Sequence, residues 1–133
     1  MTNEIVTAPG LAPPSGYAHA VVGTRGGRTV HLGGQTALGP DGTIQGATLV
    51  DQFDVAAGNV LDVLEAVGAG PEHLVQMLVF VTDVGEYKAS LRELGLVWRR
   101  RFGRRYPAMG LFGVTALFDA EARVELVATA VIP

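Results

Sequence analysis

A chain of 133 residues, 48% hydrophobic and only 17% charged, is sized for one domain and carries more apolar surface than a monomer of that length readily hides. The formal net charge of −3 gives no basic footprint for nucleic acid, and the absence of cysteine excludes disulfides, a thiolate nucleophile and any Cys-based metal site. No apolar run reaches membrane-spanning length, and Met1-Thr2-Asn3-Glu4 lacks the basic start and apolar core of a signal peptide, so a cytoplasmic location is expected.

Residues 1–16 contain Pro9-Gly10, Pro13-Pro14 and Ser15-Gly16 and read as an extended, irregular arm of a single domain spanning 1–133. The β-rich runs Tyr17-Ala18-His19-Ala20-Val21-Val22 and Thr29-Val30-His31-Leu32 flank Arg25-Gly26-Gly27-Arg28, which predicts a hairpin. Gly33-Gly34-Gln35 ends the second of these strands, and Gly39-Pro40-Asp41-Gly42 is a further turn.

Between residues 50 and 67, Phe53, Ala57, Val60, Leu61, Leu64 and Val67 recur at three- and four-residue steps, the stripe of an amphipathic helix. Asp51 and Asp54 suit its N-terminal dipole, Gly68 and Gly70-Pro71 stop it, and Gly58 inside it signals close packing. Leu74 to Val81 is a strand apolar on both faces, so each face needs a cover. A second helix is predicted over 85–102 with the stripe Tyr87, Leu91, Leu94, Trp98 and Phe102. Arg99, Arg100, Arg101, Arg104 and Arg105 gather near its C-terminal end, where cations complement the dipole.

Two strands close the chain, at about 110–117 and 122–131, joined by Asp119-Ala120-Glu121. The order is β-β-α-β-α-β-β, an α+β arrangement in which both helices lie on one face of a mixed sheet and the other, apolar face calls for self-association. Glu125 is the one carboxylate on a last strand whose alternate positions Val124, Leu126, Ala128 and Ala130 are aliphatic, so it shares the opposite face with Arg123, Val127 and Thr129. Its bland reading is a surface carboxylate paired with Arg123 or a helix arginine. His19, His31 and His73 lack metal-site spacing, the glycine pairs open no phosphate-binding helix, and Ser15 and Ser90 lack a nucleophile-elbow context, so no metal or cofactor is predicted.

Over nearly its whole length the chain resembles the Rid family, the reactive-intermediate (enamine/imine) deaminases, some of which are also described as endoribonucleases or translation inhibitors. Four segments carry the likeness: Tyr17-Ala18-His19-Ala20-Val21; Leu32-Gly33-Gly34-Gln35, similar to a Ser-Gly-Gln element; Leu74 to Asp83, similar to a central strand ending in Thr-Asp; and Pro107-Ala108 with Val124-Glu125-Leu126, similar to a Pro-Ala-Arg signature and a Glu-bearing last strand. Each is weak alone, but four in order are fairly specific. The resemblance implies a chorismate-mutase-like fold assembled as a homotrimer around a central barrel, with ligand clefts between subunits.

It further implies that Glu125 positions the attacking water as the catalytic group, helped by the Leu111 carbonyl, with Tyr17 and Gly34 lining the cleft. The position of the signature Arg, which grips the substrate carboxylate, is held by Met109. A thioether cannot replace a guanidinium fork, a loss of about 1.5–3 kcal/mol, or roughly 10- to 150-fold. Met109 offers a soft apolar wall instead, Gly33 stands where the family usually has Ser, and the second helix is longer by about a turn. The expected activity is therefore hydrolysis of a small enamine or imine other than a standard 2-iminoacid, unless Arg104 or Arg105 reaches the cleft. The alternative is a small-molecule binding or sensing trimer without turnover. Ribonuclease activity is disfavoured by the acidic balance.

Overall fold

The computed structural model describes residues 2–133. Met1, the first residue of the predicted arm, lies outside the described residues. The strands are β1 (Glu4–Val6), β2 (Ala20–Val22), β3 (Arg28–His31), β4 (Leu74–Val81), β5 (Ala108–Gly113) and β6 (Val124–Ile132). The helices are α1 (Leu49–Ala66), α2 (Val84–Ala89) and α3 (Leu91–Phe102).

The period-two pattern of the last strand organises the molecule. On β6, Val124, Leu126, Ala128, Ala130 and Ile132 are buried and the residues between them half-buried, so one face meets the helices and the other does not. β6 sits inside a four-stranded mixed sheet of order β3-β6-β4-β5, antiparallel to both neighbours, while β4 and β5 are parallel. α1 lays Leu49, Phe53, Ala56, Ala57, Val60 and Leu64 on that sheet, beside Leu94, Val97, Trp98 and Phe102 of α3. Each large aliphatic or aromatic side chain buried there contributes about 1.5–3 kcal/mol. The expected α+β architecture, with helices on one face of a mixed sheet, is what the chain adopts.

The helix starts are set by short polar side chains. Thr48 Oγ1 accepts from Asp51 N–H at 3.1 Å to cap α1, and Asp83 accepts from Glu86 N–H at 3.0 Å to cap α2. Gly58 does mark close packing: a Cβ there would stand 3.2 Å from the Arg101 guanidinium of α3. Arg100 and Arg101 both reach Asp54 of α1 at 2.8 Å, so two of the five clustered arginines tie the helices together rather than simply ending one.

Four expectations are corrected. The runs around Gly26-Gly27 turn as predicted, with Gly27 N–H donating to Thr24 O at 2.9 Å, but they do not pair with each other. β2 instead pairs with β1 in a separate two-stranded sheet, and β3 pairs with β6. Val131 packs where side chains at Gly23 and Gly27 would otherwise stand, and the arm supplies a strand where irregular chain was expected. The long second helix is two helices broken at Ser90, whose backbone leaves the helical region, and Leu91 just after the break is 57% exposed. Finally, the strand predicted at 110–117 begins and ends earlier, as β5.

On the helix-free face Leu78, Phe80, Phe112 and Val127 are half-buried or exposed, with the rings of Phe80 and Phe112 stacked at 5.5 Å. Among the described residues no helix is long and apolar enough to cross a membrane.

Candidate functional site

Glu125 lies on the helix-free face, opposite Phe80 of β4. Its neighbourhood is fixed by the segment after β3. Gln35 and Leu126 exchange backbone hydrogen bonds at 2.8 Å in both directions, and Leu32 N–H donates to Ala128 O at 3.0 Å. This carries Gly34 across the side chain of Glu125, so closely that a Cβ built on Gly34 would fall on the carboxylate. Arg123 does not neutralise that carboxylate; it pairs with Glu86 at 3.0 Å. The start of β6 is pinned from below by Gln52, a buried polar residue 2% exposed. Its amide accepts from Arg123 N–H at 2.8 Å and donates to Glu121 O at 3.0 Å and Gly46 O at 3.2 Å.

The second group of predicted residues lies elsewhere. Met109 is in register with Met77, a fully buried core residue, so it faces the helices, and Leu111 is in register with Val79 in the same way. Together with Tyr17 they line a cavity of about 430 Å³ between β5 and the helices. Tyr87 of α2 and Leu91, Leu94, Gly95 and Trp98 of α3 form its helical wall, Tyr106 and Phe53 add aromatic surface, and Ser15-Gly16 of the arm forms its rim. Ala18 N–H donates to Pro107 O at 3.0 Å, holding the arm against the start of β5. His19 braces it from the other side, accepting from Ala8 N–H at 3.0 Å while its other ring nitrogen donates to Ala12 O at 3.0 Å. Trp98 and Tyr106 stack at 5.0 Å, and Trp98 Nε1–H donates to Arg105 O at 3.1 Å. Burial pushes the Tyr87 phenol up from its ordinary value, and the nearby Tyr106 phenol adds to this, so Tyr87 stays a protonated donor through the neutral range.

Gly34 and Glu125 are thus brought together, as are Tyr17, Met109 and Leu111, but the two groups lie on opposite faces of the sheet within one chain. Arg105 does not turn into the cavity; its guanidinium donates to Asn3 O at 3.0 Å. By spacing alone Tyr87, Leu94 and Trp98 are core stripe, and nothing in the sequence marks Gln52. The glycine at position 95, inside a helical pattern, is the one signal the sequence holds for the cavity wall.

With this geometry in view, the comparisons are consistent. The family model described as Endoribonuclease L-PSP matches residues 7–132. The chain is 28% identical over 128 residues to the 2-iminobutanoate/2-iminopropanoate deaminase of Capra hircus, covering 96% of this chain and 88% of that protein. It is 30% identical over 127 residues to the RutC family protein UK114 of Drosophila melanogaster, covering 93% and 86%. The solved structure of the Rid-family protein YyfB from Yersinia pestis superposes with a TM-score of 0.84 at 28% identity, covering 98% of both chains. The chain belongs to the endoribonuclease L-PSP, or Rid, family.

Proposed function

We propose that the chain is a divergent enamine/imine deaminase in which Glu125 handles the proton of the attacking water, in a cleft completed by a second copy of the chain within a homotrimer. The observation that carries this reading is the approach of the Glu125 carboxylate to the Gly34 backbone on a sheet face that no helix covers. A carboxylate that only solubilised a strand would not need a neighbour without a side chain. Because Met109 and Glu125 face opposite ways in one chain, a single cleft containing both draws them from different copies. The apolar open face is the natural surface for that association.

In this scheme Glu125 accepts a proton from water as the water oxygen bonds to the imine carbon, and the C=N electron pair moves to nitrogen, which is protonated. The carbinolamine then collapses: a C=O bond forms, the C–N bond breaks, and ammonia leaves with the remaining proton. Imine and water become carbonyl and ammonia, with no change of oxidation state. The Leu111 carbonyl, on the edge strand of the sheet, would accept the other water hydrogen, and Tyr17 and Met109 would flank the substrate.

The test is ammonia release from imines freshly made by an amino-acid oxidase, run beside imines that carry no carboxylate. Hydrolysis of the carboxylate-free imines should be accelerated and should fall by about 10²- to 10⁴-fold in Glu125→Gln. Equal rates for the two proteins would overturn the assignment. Met109 favours a second reading, a binding module that has kept the cleft and lost the chemistry. Ligand retention without turnover on either imine class is its signature.

A further inference from the structure

We infer that the cavity between α3 and β5 is a receptor for an uncharged aromatic ring, and that Gly95 sets its depth. This rests on the reading above for its place in the reaction, but not for its evidence. All three tyrosines of the chain and its single tryptophan line this one cavity. Among the described residues its lining within one chain contains no Asp, Glu, Lys, Arg or His. The Glu125 that the reading above draws from a second copy would only add negative charge, which disfavours a ligand carboxylate further. A ligand carboxylate would lose its hydration there without a charged partner, whereas a ring would meet aromatic faces and the Met109 sulfur.

Gly95 supplies an independent argument. It sits inside α3, where glycine lowers helix stability relative to alanine, and its φ is not positive. A Cβ built on it meets nothing within 4 Å, so no neighbour requires the side chain to be missing. What the missing side chain provides is room on the cavity wall. The cavity volume of about 430 Å³ falls within the range that holds drug-sized ligands.

Because Trp98 is the only tryptophan and lines the cavity, its fluorescence reports occupancy. The full-length protein is titrated with phenylacetamide, phenylacetate and phenethylammonium, three probes with one ring and different charge, and calorimetry repeats each titration. Phenylacetamide should bind saturably and at least about tenfold more tightly than either charged probe. Gly95→Leu should abolish that binding while leaving the melting temperature unchanged or higher, and Gly95→Ala should weaken it by a smaller factor with a small gain in melting temperature. Equal or tighter binding of phenylacetate or phenethylammonium would overturn the inference, as would unaltered binding in a folded Gly95→Leu protein. The deaminase reading fails separately: ring binding that persists in a protein with no imine turnover removes that reading and leaves this one intact. Imine turnover unaffected by both Gly95→Leu and added phenylacetamide does the reverse.

Discussion

The Glu125 carboxylate fills the space that a Cβ on Gly34 would take, so that even one methyl group at Gly34 would displace the acid. Gly34 has no positive φ, and alanine is tolerated there by the backbone. Gly34→Ala therefore tests position alone. In the deaminase reading it should lower kcat for imine hydrolysis by at least tenfold, approaching the loss in Glu125→Gln, with a stability change of about 1 kcal/mol. Steady-state ammonia release and a thermal melt measured on the same sample check both parts. Full activity in Gly34→Ala would show that the carboxylate's position does not matter.

Gln52 connects the first helix to the start of β6 through three hydrogen bonds made by a fully used amide. Gln52→Leu keeps the volume but leaves Arg123 N–H and two carbonyls unpaired. A loss of roughly 2 kcal/mol is expected, near 8 °C in Tm for a chain of this size. Since Arg123 is two residues from Glu125, activity measured well below Tm should also fall. Chemical denaturation with an unchanged m-value would show that the native state alone was weakened.

Asp54 gives the fold an acid limb. Burial works to raise its pKa, but hydrogen bonds from Arg101 and Arg100 outweigh it and hold the carboxyl below its ordinary value of about 4. A depressed folded-state pKa contributes stability above the unfolded value, and that stability is lost as pH falls through the lower folded value. The pair is partly solvated, so the contribution is at most about 1 kcal/mol. Asp54→Asn should be less stable than the parent at neutral pH and approach it on acidification. A constant gap across the acid range would contradict this.

Much of the frame was legible from the chain because periodicity is a local signal. The α1 stripe, the two-sided apolar β4 and the alternation around Glu125 each follow from burying one face of a regular element. The pairing of β2 and β3 was not legible. Gly26-Gly27 specifies a turn but not the partners: β2 pairs with β1 and β3 with β6, the latter far away along the chain. The cavity was hidden for a related reason: Tyr87, Leu94 and Trp98 have the spacing of core residues, and nothing local distinguishes a residue lining a hollow from one filling it. Register adds what the chain order does not give: Met109 and Glu125 face opposite ways within one chain, so a shared cleft between subunits takes them from different copies.

Met109→Arg would place a guanidinium in a cavity whose lining within one chain carries no charge among the described residues. If the missing fork is what turns away carboxylate-bearing imines, this variant should gain about 10- to 150-fold in kcat/KM on 2-iminoacids and lose activity on neutral ones. Ammonia release on the two substrate classes gives the ratio directly. An unchanged ratio would mean that the loss of the Arg is accompanied by other changes in the cleft.

In the deaminase reading the open sheet face is decisive, because a cleft shared by two copies vanishes with the contact between them. Phe112 is 46% exposed and stacks on Phe80, and Phe118 at the tip of the following loop is 99% exposed. A carboxylate at position 112 costs the isolated chain little, since the ring is only partly buried, but it would be trapped against apolar surface in an assembly. Phe112→Asp should therefore shift the mass measured by light scattering from three chains to one while keeping the far-UV circular dichroism spectrum. Imine hydrolysis should disappear with the assembly although Glu125 and Gly34 are untouched. A monomeric Phe112→Asp protein that still hydrolyses imines would place the whole reaction within one chain and remove the need for a neighbour. An assembly that survives the substitution would move the contact to another surface of the molecule.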